Sequence, residues 1–344
     1  MITALLLLSA LPSDPPLRPD FIRGVNFAHV HLPTYGYGSA RAKAELARLR
    51  DLGVNWIALS PFAYMRRVDE PEIVFGDIDP TLDSASLIQQ TQDAHQHGIK
   101  VLLKPHIWSS DFYRGKWHGD IAMKTPEDSA RFFDRYRAFM VGHARLAAEA
   151  HADALSIGLE YVRLTTPEHT ARWRQLITAV REVYSGPLTY GAHHEREVFQ
   201  IEFWDQLDAI GLSGYCPLAV RSSEHEVTPE EVAAAWQPHL DRLAALAKHF
   251  DKPVVLTEVG FPSHTGALRE PWRSDGSLPE DQRLQAIAYQ GTLAALGAAP
   301  FIRGVFVWKW FSGGAHNPGE DDPYEPAEKQ AEQVLRRWFR ARPG

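Results

Sequence analysis

Eight short apolar runs recur along the 344-residue chain, and most are followed by a stretch of helical periodicity. They are Ile22–Phe27, Val54–Ser60, Ile99–Pro105, Asp153–Glu160, Leu188–Ala192, Leu207–Tyr215, Val254–Glu258 and Ile302–Trp308. Strands alternating with helices call for a parallel sheet, because each crossover needs room for a helix. Eight such units, with no Gly-rich phosphate turn after the first, favour a closed (β/α)8 TIM barrel over a doubly wound sheet. Arg41–Leu52 and Leu87–His97 stop at Gly53 and Gly98, the expected helix terminator. Pro126, Pro167 and Pro229 open helical segments, where the missing N–H costs nothing. The runs consume the chain from residue 21 onward, so residues 21–344 read as one α/β catalytic domain with no second domain.

Period-two alternation orients two of these strands. In the fourth run Gly158, Ser156 and Ala154 are in phase with Glu160, while Leu159, Ile157 and Leu155 are out of phase. In the sixth, Ser213, Gly211 and Ala209 are in phase with Tyr215, against Leu212 and Ile210. A crowded barrel interior takes the small face, and helices cover the bulky one. Glu160 and Tyr215 then point to the barrel axis at its C-terminal mouth.

Glu160 and Glu258 each close an apolar run, where a carboxylate is costly to hide and seldom serves packing. On strands four and seven they face each other across the mouth. Two such carboxylates suit glycoside hydrolysis, in which one protonates the leaving oxygen and the other attacks or activates water. The bland alternative pairs each with an Arg or Lys at the rim. Tyr215 is placed to donate to Glu258 and keep it ionised. Five of the ten tryptophans, Trp108, Trp117, Trp272, Trp308 and Trp310, fall at strand C-termini, where ring faces can stack on sugars. Trp308 is the candidate floor, whereas Trp56, Trp173, Trp204 and Trp338 read as core. Long segments 61–84, 109–125 and 262–279 are candidate subsite loops.

The histidines support a rival. His29-Val-His31 after strand one and His193-His194 after strand five would suit a metal-dependent amidohydrolase. That chemistry also expects a strand-four lysine and a strand-eight Asp, and neither is there. Without metal, His31, His106 and His193 become donors to sugar hydroxyls. Lys104 is either a sugar contact or a cation beside a carboxylate. No metal and no cofactor are therefore expected.

Charge bounds the partners. A net charge of -7 leaves no basic field for nucleic acid or anionic membranes. The single cysteine, Cys216, allows no internal disulfide, and a core of this size needs none. Residues 1–20 read as a short signal peptide with a Pro- and Asp-rich linker, near a cleavage point at Ser9-Ala10, although no basic n-region precedes the apolar stretch. Secretion or periplasmic export is one expectation and a cytoplasmic enzyme the other. The partner expected is an oligo- or polysaccharide, and the protein a monomer.

Several segments together resemble glycoside hydrolase family 113, a β-mannanase family in the retaining clan A. They are Arg23-Gly-Val-Asn, Gly53-Val-Asn-Trp-Ile-Ala-Leu, Gly98-Ile-Lys-Val-Leu-Leu-Lys-Pro, Leu155-Ser-Ile-Gly-Leu-Glu160, Trp173-Arg-Gln-Leu-Ile, Gly186-Pro-Leu-Thr-Tyr, Phe203-Trp-Asp-Gln-Leu-Asp-Ala-Ile-Gly, Leu256-Thr-Glu-Val-Gly and Gly304-Val-Phe-Val-Trp308. The resemblance implies Glu160 as acid/base, Glu258 as nucleophile, Tyr215 orienting Glu258, and Trp308 under the sugar at the cleavage point. It implies a retaining endo-β-1,4-mannanase. The chain departs at Leu159, where clan members commonly carry Asn, and at Gly191-Ala-His193-His194, where the family pattern resembles Ala-Ala-Asn. Those departures keep two alternatives open: a β-glycosidase for another β-linked or amino-sugar oligosaccharide, and a carbohydrate-binding barrel without turnover.

Overall fold

The computed structural model describes residues 17–76, 79, 81–220, 226–274, 277–314 and 322–341. The signal peptide reading falls mostly on residues 1–16, outside the described residues. Leu17 is buried, and Arg18 donates to the carbonyl of Ala299 at 3.3 Å, so packing is already in place ahead of the first strand.

Eight parallel strands close into a barrel, all from the sequence runs. In order around it they are β1 (Ile22–Ala28), β2 (Trp56–Leu59), β4 (Lys100–Leu103), β6 (Ala154–Leu159), β7 (Leu188–His193), β8 (Ile210–Ser213), β9 (Val254–Val259) and β10 (Ile302–Phe311). Around them lie α1 (Ala40–Leu52), α2 (Ser84–Gln96), α3 (Pro126–Glu149), α4 (Thr170–Arg181), α5 (Glu197–Gln200), α6 (Pro229–Phe250), α7 (Gln282–Ala298) and α8 (Gln330–Arg340). Side-chain oxygens cap several of these helices: Ser39 accepts from Ala42 N–H, Asp83 from Ser86, Thr125 from Asp128 and Thr228 from Glu231. Gly53 ends α1 at φ 99°, and a Cβ there would meet the Phe339 carbonyl oxygen at 2.6 Å.

The alternation holds in the lower barrel. Ala58, Leu102, Val255 and Phe306 plug the interior, with Ile22, Trp56, Ala154 and Ala209 packed against them. Leu155, Ile157, Ile210 and Leu212 lie in the larger cluster between strands and helices. Cutting Ile157 back to Ala would cost about 2–5 kcal/mol. On α3, Phe132, Tyr136, Phe139 and Met140 share the buried stripe, and the Tyr136 hydroxyl donates to the Ile157 carbonyl at 2.8 Å. That bond ties the helix to the strand bearing Glu160.

A strand opens segment 61–84, read as a loop, and another leads into segment 109–125. Pro61 and Pro105 cannot donate to a ladder, so β2 and β4 stop just before them. Pairing resumes above the barrel between β3 (Phe62–Met65) and β5 (His106–Ser109). The small sheet lifts Phe62, His106 and Trp108 over the mouth.

Candidate active site

Glu160 faces the mouth from the bulged end of β6. Its pairing with β7 shifts register between Ser156 and Leu159. Gly158 sits at φ 155°, and a Cβ there would lie 2.8 Å from the Tyr136 hydroxyl and 2.9 Å from the Tyr190 ring. Glu160 itself has φ 46°. Its N–H donates to Gly191 O at 2.8 Å, and the next N–H, of Tyr161, donates to the Tyr190 hydroxyl at 2.7 Å. Strict alternation would send Leu159 outward. The bulge instead puts both Leu159 and Glu160 on the cleft wall. Burial, then the charges of Glu258 and Glu197, push the Glu160 carboxyl well above the carboxylate range, with Lys104 opposing them.

Glu258 is buried at the end of β9, which is also irregular: Leu212 pairs with Leu256, but the next residue, Ser213, pairs with Glu258. Lys104 Nζ donates to Glu258 Oε1 at 2.6 Å, and the Tyr215 hydroxyl donates to Oε2 at 2.8 Å. A buried carboxylate therefore has a counter-charge on one oxygen and a phenol on the other. Of the two roles open to Lys104, the geometry realises the cation beside a carboxylate. Desolvation lowers the Lys104 pKa and Glu258 opposes that shift.

Both carboxylates line a cleft of about 930 Å3. Trp308 forms part of its wall, with Lys104 Nζ 5.2 Å from its ring centre and His106 stacked parallel at 6.4 Å. His106 is buried, its Nε2 has no hydrogen-bond partner among the described residues, and desolvation holds it neutral. Trp117, 40% exposed, packs on His193 at 5.1 Å, and Trp272, 52% exposed, stacks on His194 at 6.4 Å. Trp108 lies on another wall, edge-on to Phe112 and Tyr113. Trp173, Trp204 and Trp338 are core, as read; Trp310, counted at the strand ends, is fully buried and donates to Glu45.

The model described as Glycoside Hydrolase Family 113 matches residues 27–329. The chain belongs to glycoside hydrolase family 113. It is a retaining β-glycoside hydrolase on a (β/α)8 barrel. The structure of a family 113 β-1,4-mannanase in a complex superposes with a TM-score of 0.80 at 26% identity, covering 94% of this chain and 99% of that one. The family 113 β-mannanase AaManA from Alicyclobacillus acidocaldarius, in complex with ManMIm, gives 0.80 at 28% identity over 93% and 97%. A β-glucuronidase from Ruminococcus gnavus gives 0.61 at 14% identity over 94% of this chain and 50% of that one, a likeness of fold alone. No curated protein matches the chain in sequence.

In this family 113 chain His193 and His194 are not part of the cluster that His29 and His31 make. His29, His31 and Asp79 cluster with ligand-type atoms within 4.8 Å of one another. His31 is exposed, and its Nδ1 pairs with Asp79 at 2.6 Å on the cleft rim. His29 Nδ1 accepts the Tyr37 N–H at 3.1 Å, so the ring proton sits on Nε2 and reaches the Thr81 hydroxyl at 3.0 Å. Both nitrogens are thereby engaged, and metal binding by His29 would require breaking one bond.

Five further cleft residues are Asn26, His118, Tyr324 and the pair Lys309 and Asp322, bridged at 2.7 Å. Asn26 Nδ2 donates to Thr257 O at 3.1 Å, while its Oδ1 and His118 Nε2 have no partner among the described residues. Asn26 lies within β1, in the segment Arg23-Gly-Val-Asn. Lys309 lies in β10, while His118, Tyr324 and Asp322 sit in irregular stretches or a single 3-10 turn, where no periodicity marks a side chain's direction.

Proposed function

We propose that the protein is an endo-acting β-1,4-mannanase in which Glu258 is the nucleophile and Glu160 the acid/base. The observation that carries the roles is the contrast between the two carboxyls. Glu258 is held by Lys104 and Tyr215, which favour its ionised form. The Glu160 carboxyl accepts no hydrogen bond among the described residues, and burial favours its protonated form.

In the first step Glu258 attacks the anomeric carbon of the bound β-glycoside. Glu160 gives its proton to the glycosidic oxygen as that bond breaks, and the aglycone leaves as an alcohol. The product is an α-linked glycosyl ester on Glu258. In the second step the Glu160 carboxylate takes a proton from water as the water attacks the same carbon. The ester bond breaks, Glu258 leaves as carboxylate, and the β-anomer is released. This requires the carboxyls about 5–5.5 Å apart. Trp308 gives the sugar a stacking face, and neutral His106 and Asn26 offer unpaired polar atoms to its hydroxyls. Trp117 and Trp272, exposed on loops flanking the cleft, extend the binding surface to a longer chain. No step needs a metal.

Mannan as substrate is favoured by the family 113 β-mannanases that share fold and coverage. A second reading rests on Leu159, which lines the cleft without offering a hydrogen bond: a β-linked or amino-sugar oligosaccharide other than mannan. A panel of manno-, gluco-, xylo- and chito-oligosaccharides followed by proton NMR separates them. Turnover of β-1,4-mannose chains with β-product formed first supports the proposal. Turnover confined to another sugar overturns mannan, and initial α-product overturns retention.

A further inference from the structure

Glu197 is a buried carboxylate that the proposed mechanism leaves without a task. It opens α5, is fully buried, and has no Lys or Arg partner among the described residues. Three donors converge on it. The Tyr190 hydroxyl at 2.6 Å and Thr165 Oγ1 at 2.9 Å reach Oε1, and the His193 N–H at 2.6 Å reaches Oε2. The Tyr190 oxygen also accepts the Tyr161 N–H, so its own proton points to Glu197. A carboxylate that only accepts satisfies all three donors.

These bonds lead to Glu160. Tyr161 directly follows Glu160, and its N–H is fixed by the hydroxyl that Glu197 orients. On the other side, Glu160 donates to Gly191 O in β7, the strand whose end Glu197 grips through His193. Both peptides around the left-handed Glu160 are therefore referred to one buried anion.

We propose that Glu197 is a positioning residue for Glu160: through Tyr190 and His193 it fixes the Glu160 backbone, and its buried negative charge favours the proton-donating form of Glu160. This rests on Glu160 being the acid/base. Burial pushes Glu197 up to about 7, against its three hydrogen bonds, so it is charged on the alkaline side where the acid must stay protonated. The other groups facing Glu160 are Glu258 on β9, Lys104 just after β4 and Tyr215 after β8. Tyr190 and Tyr161, which face Glu197, are pushed up by burial and stay neutral.

The test is the pH profile of kcat/KM for Glu197→Gln on an oligosaccharide. Loss of the charge lets Glu160 ionise sooner, so the alkaline limb should move down by about one pH unit. An alkaline limb that coincides with wild type overturns the proposal. Tyr190→Phe supplies the second readout, and the only one if Glu197→Gln fails to fold. It should lower kcat/KM on the oligosaccharide at least about tenfold but under about threefold on a dinitrophenyl glycoside, whose leaving group needs no proton. Equal losses on both substrates mark a merely structural role and overturn it. Glu160→Ala is the control for the underlying reading. It should lose the oligosaccharide reaction and keep kcat/KM on the dinitrophenyl glycoside. If it does not, Glu160 is not the acid, whatever Glu197 does.

Discussion

Lys104 Nζ lies 2.6 Å from Oε1 of Glu258, with both side chains buried at the barrel mouth. Neither charge is tolerable there alone. Lys104→Met should therefore cost about 3–5 kcal/mol of stability, measured by denaturant unfolding. In any folded fraction Glu258 has lost its hydrogen-bonded counter-charge, so kcat/KM should fall at least about tenfold. Wild-type kcat/KM would mean that Lys104 does not support Glu258 in the reaction.

Tyr215→Phe removes one donor to Glu258 and leaves the ring in place. A hydrogen bond to a charged group contributes about 1.5–3 kcal/mol, so kcat should fall about tenfold to a hundredfold. The melting temperature should change little. Wild-type kcat in the variant would remove Tyr215 from the site.

Trp272→Ala and Trp117→Ala should raise KM on long oligosaccharides by about tenfold, with kcat nearly unchanged, because stacking far from the bond contributes equally to ground and transition states. On the shortest substrate cleaved, the effect should vanish. A kcat loss equal on all lengths would place these rings at the cleavage point instead.

His143 in α3 gives a pH signature remote from the cleft. Burial pulls it from 6.5 to about 4, although its Nδ1 bonds Phe139 O at 3.0 Å. Between those values the unfolded chain binds more protons than the folded one, so its contribution falls as pH falls through that window. The melting temperature of His143→Phe relative to wild type should therefore be higher at about pH 5 than at about pH 8. A difference independent of pH would show that His143 does not stay neutral.

The barrel was legible because its signal is periodic. All eight runs are strands, and the small face carrying Ala154 and Ala209 does point inward. Glu160 and Glu258 stood out because a carboxylate ending an apolar run has no packing reason to be there. Alternation failed at Leu159, where the bulge at Gly158 breaks period two, and such a bulge depends on Tyr136, Tyr190 and Tyr161 crowding from other elements. Lys104 was identified, but its partner was not, since 154 residues separate them in sequence. Tyr324, His118 and Glu197 lie in irregular stretches or a single helical turn, and only tertiary packing brings them to the site.

The assignment of two glutamates to two opposite roles is tested most directly by azide rescue with anomeric analysis of the product. In Glu258→Ala, azide takes the place of the nucleophile and attacks from its face, so the account predicts an α-glycosyl azide. In Glu160→Ala, the enzyme ester still forms from an activated glycoside and azide replaces water, so it predicts a β-glycosyl azide. Proton NMR distinguishes the two. The same anomer from both variants, the reverse pairing, or wild-type kcat in either variant without azide would contradict it.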